Sequence, residues 1–219
     1  MESAAPSILP HDLLKLVDDA DLVSDAPRPE WLDTVMRAAP WVVVRRAMLE
    51  DGRIPVGVRG ATRNARWAAW VAPSYVADAV RPEALTKHLS DLPPERLASL
   101  PALAALMPLG LTLHHHGLVW GPTGSVGFEL ATGVATVTAT SDLDAVVRCD
   151  QRLLRDTAAD LVERIADLGV RCDLILETPA GGVALLEYAR VDGAVVARGV
   201  NGPRLVDDPW PVGHEDRQS

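Results

Sequence analysis

The sequence predicts an α/β protein in two parts, a small α+β N-terminal domain over 1–90 and a mixed sheet with helices over 91–219. Three observations carry this reading. A β-branched run, Trp41-Val-Val-Val, is followed by the turn Glu50-Asp-Gly-Arg and by Ile54-Pro-Val-Gly-Val-Arg, a hairpin signature. Proline-led helix starts then crowd together at Pro82, Pro93 and Pro101, where the composition changes. Beyond them strand-like and helix-like stretches alternate, as in a sheet covered by helices.

The elements follow in order. The first ten residues, with Pro6 and Pro10, are expected to be disordered, and His11-Asp-Leu-Leu-Lys-Leu is expected to open a segment of helical character. Trp41–Val44 and Ile54–Arg59 are expected strands. The stretch from Arg63 to Tyr75 mixes Ala and Trp and fits helix or strand equally. Short helices are expected at Pro82, Pro93 and Pro101, and His114-His-His reads as a polar approach to the next strand. Val119-Trp-Gly-Pro-Thr-Gly-Ser should lead through a tight turn into a short helix ending near Gly133. A strand region over Ala135–Arg148 is expected next. Leu154, Ala158, Leu161, Ile165 and Leu168 recur at helical spacing, with Gly169 as the stop. Arg171-Cys-Asp-Leu-Ile-Leu-Glu is a strand, Pro179-Ala-Gly-Gly a turn, Val183–Arg190 helix or strand, and Ala194-Val-Val-Ala-Arg a strand. Arg204 and Trp210 are expected to fasten the C-terminal stretch.

Composition limits the function classes. The chain has 219 residues, 48% of them hydrophobic, enough to bury a sizeable core. No run of 18 apolar residues suggests a membrane span, and no basic-then-apolar leader is evident, so a cytoplasmic protein without membrane contact is expected. The formal charge of −9 argues against nucleic acid as a partner, while leaving open a phosphate-bearing small substrate held by local arginines. With only Cys149 and Cys172, no disulfide framework is expected, and both are read as buried packing groups.

The chemistry concentrates in Gly121-Pro-Thr-Gly-Ser-Val-Gly-Phe and Ser141-Asp-Leu-Asp. On a strand, residues i and i+2 share a face, so Asp142 and Asp144 would project together with Leu143 turned away. Paired carboxylates repel unless a cation lies between them, and Mg²⁺ with phosphate oxygens is the common partner. The Gly124-Ser125 turn opening a helix offers backbone N–H groups to an anion. Asp173, in the strand after the next helix, would be the third carboxylate of a metal site, and could accept a hydroxyl proton. Arg59, Arg63 and Arg66 cluster in Val58-Arg-Gly-Ala-Thr-Arg-Asn-Ala-Arg, the candidate for holding substrate phosphates across the domain interface, Arg59 and Arg63 foremost, and Arg45-Arg46 is a similar but weaker pair. Together these features read as a nucleotidyl-transfer site in a nucleotidyltransferase-like C-terminal domain. A P-loop is excluded because Gly-Lys-Ser/Thr is missing, and a dinucleotide fingerprint because its closing Gly is. A Gly-x-Ser-x-Gly hydrolase is excluded because the only histidine beyond the carboxylates is His214 in a polar tail. Three consecutive imidazoles at His114–His116 cannot all face one ion on regular backbone.

Pro10-His-Asp-Leu-Leu, Pro55-Val-Gly-Val-Arg-Gly, Trp120-Gly-Pro-Thr-Gly-Ser-Val-Gly-Phe-Glu-Leu-Ala-Thr-Gly, Ser141-Asp-Leu-Asp and Gly202-Pro-Arg-Leu-Val-Asp-Asp-Pro-Trp span nearly the whole chain. In them the sequence resembles the malonate decarboxylase holo-acyl-carrier-protein synthase family, also called phosphoribosyl-dephospho-CoA transferase. The resemblance implies 2′-(5″-triphosphoribosyl)-3′-dephospho-CoA as donor and, as acceptor, a serine of the apo acyl carrier subunit of malonate decarboxylase. It implies pyrophosphate as a product, Asp142 and Asp144 as metal ligands, and a Gly-Ser motif at Gly124 and Ser125. Asp173 and the arginines are read from this sequence alone. The interval between Gly-Ser and Asp-x-Asp is longer than in many nucleotidyltransferases, leaving room for an extra segment. Two other expectations stand beside this one: an enzyme of the same fold using another donor such as ATP, and a non-catalytic module that binds an acyl carrier protein.

Overall fold

The computed structural model describes residues 8–17, 20–60, 62 and 64–211. It contains two six-stranded sheets with helices, matching the expected two-part α/β organisation. Most of the expected disordered start, residues 1–7, lies outside the described residues, as do Arg63 and His214.

The first sheet comprises β1 (Leu13–Leu16), β2 (Leu22–Val23), β3 (Trp41–Val44), β4 (Ile54–Arg59), β5 (Arg66–Val71) and β6 (Val76–Val80). Its spatial order is β2-β5-β4-β3-β1-β6, and every pairing is antiparallel. The short helix α1 (Leu32–Ala38) covers one face, where Leu14, Leu32, Val42, Val56 and Ala69 form a core of their own. The segment at His11 expected to be helical is the strand β1, and the reason lies in its surroundings. Leu14 enters this N-terminal core while Leu13 enters the core of the other half, so both faces are covered. A strand buried on two sides loses the polar alternation that marks a strand in sequence. The ambiguous stretch before Tyr75 resolves as β5, paired along its length with β4.

Between the sheets run α2 (Pro82–Leu85), a 3₁₀ turn over Thr86–Asp91, α3 (Pro94–Ser99), α4 (Pro101–Ala104) and α5 (Leu106–His115). The histidine run is therefore not an approach to a strand: His114 and His115 form the last turn of α5, where imidazoles suit the negative end of a helix.

The second sheet, in the order β12-β11-β10-β9-β8-β7, holds β7 (Val119–Pro122), β8 (Leu143–Arg148), β9 (Cys172–Thr178), β10 (Gly181–Ala184), β11 (Val195–Gly199) and β12 (Gly202–Val206). Only β8 and β9 run parallel, joined by α7 (Arg155–Ala166), whose Ala158, Leu161 and Ile165 are buried as their spacing required. Val183–Arg190 divides into β10 and α8 (Leu185–Arg190). Trp210 is buried and donates its indole N–H to the Cys149 carbonyl at 2.6 Å, so the expected fastening is made there.

The strand expected over Ala135–Arg148 begins only at Leu143. Local polar bonds occupy the preceding segment instead. The Thr136 and Val137 N–H groups donate to Glu129 Oε2 at 2.8 Å each, and Thr138 N–H donates to Ser141 Oγ at 3.0 Å. Side chains that capture neighbouring backbone donors in this way compete with a ladder. Glu129 itself is buried and accepts Arg96 Nε–H at 2.5 Å, so the loop is tied to α3. This loop fills the interval between Gly-Ser and Asp-x-Asp.

Candidate active site

The site forms where the two sheets face each other. Leu13, Val43, Gly57 and Ala68 are successive register partners across β1, β3, β4 and β5, so their side chains make one row on one face of the first sheet. Gly57 and Ala68 have little or no side chain, and the row forms the wall of a cavity of about 590 Å³. On the facing sheet, Asp144 and Asp173 pair directly across the parallel strands β8 and β9. Their side chains consequently share a face, and both line the cavity.

The segment from β7 into α6 (Gly124–Thr132) brings the glycine turn against Asp144. The Thr123 N–H donates to the Asp144 carbonyl at 2.8 Å, locking the turn to β8. Gly124 has φ +60°, a left-handed conformation natural to glycine, and a Cβ there would stand 2.9 Å from Asp144 Cγ and closer still to Oδ2. Glycine thus lets the helix start come up to the carboxylate. Upstream, Gly121 packs against the Pro82 carbonyl, with no room for a side chain, which seats β7 on α2.

Arginines line the opposite wall. Arg59 and Arg66 are direct cross-strand partners on β4 and β5, and both reach the cavity with Arg45. Arg45 stacks over Trp70, and its buried Nε finds no hydrogen-bond partner among the described residues. The cavity therefore has a cationic wall facing two carboxylates and a helix start, an arrangement suited to a polyphosphate.

The two halves are tied together beside this cavity. Glu177, on the same face of β9 as Asp173, is paired with Arg46 and with His11 Nε2 at 3.3 Å. Burial alone would raise the Glu177 carboxyl, but the His11 and Arg46 contacts outweigh it and hold the group below its ordinary range. His11 takes a left-handed φ of 76° to present its ring there. Arg148, on β8, pairs with Glu83 and lies 3.8 Å from the buried Asp12, whose carboxyl is pushed up by burial.

The sequence-derived candidates take different places. Asp144, Asp173, Gly124 and Arg59 line the cavity. Ser125 sits in the first turn of α6, 6% exposed, and is not among the lining residues. Asp142 lies in the loop one residue before β8 rather than on the strand, and is not a lining residue either. Its charge still reaches the Cys172 thiol, which burial, then Asp173, then Asp142 push up to about 11. Asp173 carries an ion pair to Arg171 at 3.0 Å. Among the described residues no three His, Cys, Asp or Glu side chains converge to hold a metal ion, so the three carboxylates do not make a ready-built cage. The donor set does suit a Mg²⁺ held by one or two carboxylates and completed by substrate phosphates. Arg66, a member of the Arg59–Arg66 cluster, and Arg45, read from the sequence as part of a weaker basic pair, also line the cavity. His11 was not singled out as a site residue, because it reaches the site only through sheet register and a positive φ.

The family model of the phosphoribosyl-dephospho-CoA transferase MdcG N-terminal domain matches residues 9–82, and that of the MdcG C-terminal domain matches residues 85–209. The chain is 42% identical to the phosphoribosyl-dephospho-CoA transferase of Pseudomonas aeruginosa over 203 residues, covering 93% of this chain and 94% of that one. It is 44% identical to the Azotobacter vinelandii protein of the same name over 205 residues, covering 92% and 93%. With the Pseudomonas syringae pv. tomato protein of that name it shares 41% identity over 211 residues, 96% and 97% of the two chains. No solved structure matches. Both halves of the molecule, and the cavity between them, fall within these matches, and the chain belongs to the phosphoribosyl-dephospho-CoA transferase family.

Proposed function

We propose that this transferase moves the 2′-(5″-phosphoribosyl)-3′-dephospho-CoA group from its triphosphate precursor onto a serine hydroxyl of the apo acyl carrier subunit of malonate decarboxylase, with release of pyrophosphate. The observation that carries the reading is the cavity between the sheets, where Gly124 and the Asp144–Asp173 pair face Arg45, Arg59 and Arg66.

In this reading the arginine wall binds the triphosphate by forked hydrogen bonds and takes up the charge of the departing pyrophosphate. The start of α6 presents backbone N–H groups to the phosphate next to Asp144. Asp144 and Asp173 are the residues that would hold Mg²⁺, with Asp142 beside the strand start as a further donor. When bound, the ion would neutralise charge on the phosphates and lower the barrier to attack. The carrier serine oxygen attacks the α-phosphorus, its proton passes to the Asp173 carboxylate, and the bond from phosphorus to the pyrophosphate oxygen breaks. The walls hold acceptor and donor in one orientation, which accounts for a large share of such a rate enhancement. The absence of any helix long and apolar enough to cross a membrane, among the described residues, is consistent with substrates met in solution.

Pyrophosphate release in the presence of Mg²⁺, apo carrier and either the triphosphoribosyl donor or ATP tests the reading. Release with the triphosphoribosyl donor alone, dependent on the carrier, is expected. Release with ATP would identify an adenylyl donor instead. Carrier binding without release from either donor would mark a non-catalytic module.

A further inference from the structure

A second cavity opens on the other side of Asp173. The ladder between β9 and β10 ends at the pair Ile175 and Ala184, because the chain turns there into α8. Cys172, Asp173 and Leu174 consequently have no strand beside them on the β10 side among the described residues, although β8 continues along their other edge. The gap is a cavity of about 550 Å³, walled by apolar residues of α7 and α8 such as Val162, Ile165, Leu185 and Leu186. Arg171, Arg190 and Arg198 also line it. Asp173 and Ile175 line both cavities, so the second adjoins the proposed reaction site.

We propose that this second cavity binds the diphosphate and pantetheine arm of the dephospho-CoA moiety, an inference that rests on the donor named under the proposed function. Three features match that chemistry. The arginines cluster in a chain of net charge −9, and Arg190 and Arg198 make no ion pair among the described residues. Guanidinium forks bind diphosphate oxygens in pairs. The apolar wall suits the aliphatic part of the arm. The open edge of β9 offers backbone N–H and C=O groups to the arm's amides, as a sheet edge does to an added strand. The volume lies within the range of small-molecule sites, about 300–1,000 Å³. Neither cavity need hold the whole donor: its triphosphate end would lie against Arg59 and Arg66 and its other end beyond Asp173.

Calorimetric titration of the full chain with dephospho-CoA and with ADP, which lacks the arm, tests the assignment. The wild type is expected to bind dephospho-CoA more tightly than ADP. Leu186→Trp, which fills the apolar part, should erase that advantage and leave ADP binding unchanged. The double variant Arg190→Ala and Arg198→Ala should weaken both ligands at least about tenfold, with thermal unfolding unchanged because both side chains are exposed. Wild-type affinity for dephospho-CoA in both variants would overturn the subsite. If those variants bind dephospho-CoA normally but transfer to the carrier slowly, the cavity serves the carrier instead, and the subsite is refuted while the reaction stands. If the wild type binds no dephospho-CoA, the subsite and the donor assignment fall together.

Discussion

Gly124→Ala separates the chemical role of the glycine turn from its structural one. Two costs are expected. The first is conformational, since alanine at a φ of +60° costs about 1–2 kcal/mol. The second is steric and local. The new Cβ would stand 2.9 Å from Asp144 Cγ and nearer to Oδ2, where ordinary contacts are 3.4–4 Å. The carboxylate must withdraw by about 1 Å, and misplacement on that scale costs on the order of 10²-fold in rate. Gly133→Ala supplies the control. Gly133 has φ +71° at the other end of the same helix, with nothing within 4 Å of a Cβ, so it bears the backbone cost without the collision. Urea unfolding should place both variants about 1–2 kcal/mol below the wild type. Transfer rates measured where both are folded should fall on the order of 10²-fold for Gly124→Ala and remain within about threefold for Gly133→Ala. Equal rates in the two variants would refute the argument, because Asp144 would then not need the position that Gly124 allows.

Other expectations concern the frame around the site. Gly121→Ala drives a Cβ into the Pro82 and Glu83 backbone, which has no flexible end to yield, so urea unfolding should show a loss of at least about 3 kcal/mol. Arg96→Met strands the buried Glu129 carboxylate with only the Thr136 and Val137 N–H groups, and should destabilise by about 3 kcal/mol in the same assay. Burial raises the Glu129 carboxyl, but Arg96 and those N–H groups outweigh it and lower the group below its ordinary range. A lowered carboxyl stabilises the fold above the ordinary carboxylate range, and the contribution is lost as pH falls through the folded value. Thermal unfolding from pH 7 to pH 3 should therefore drop more steeply in the wild type than in Glu129→Gln, and parallel curves would contradict the assignment.

How much was legible in the sequence depended on how local the cause was. The helix α7 and its flanking strands were readable because Ala158, Leu161 and Ile165 recur on one face and Gly169 stops the helix. The hairpin of β3 and β4 was readable from its β-branched runs and turn. The strand β1 was not, because Leu13 and Leu14 enter two different cores and leave no alternation. Asp144 and Asp173 were read as candidate site residues from their types and order, yet their direct pairing depends on the parallel register of β8 and β9. Asp142 was expected to lie beside Asp144 on the strand, but side-chain capture of backbone donors in the Thr136–Ser141 stretch delays the strand until Leu143. The second cavity had no sequence signal at all, since it exists only because β10 is shorter than β9.

The central claim is that the face carrying Asp144 forms a phosphodiester between donor and carrier. The most direct measurement is the intact mass of apo carrier after incubation with the triphosphoribosyl donor, Mg²⁺ and either wild type or Asp144→Ala. The wild type is expected to add one phosphoribosyl-dephospho-CoA group to the carrier, and the variant none while unfolding like the wild type. Full modification by a folded Asp144→Ala protein would contradict the account.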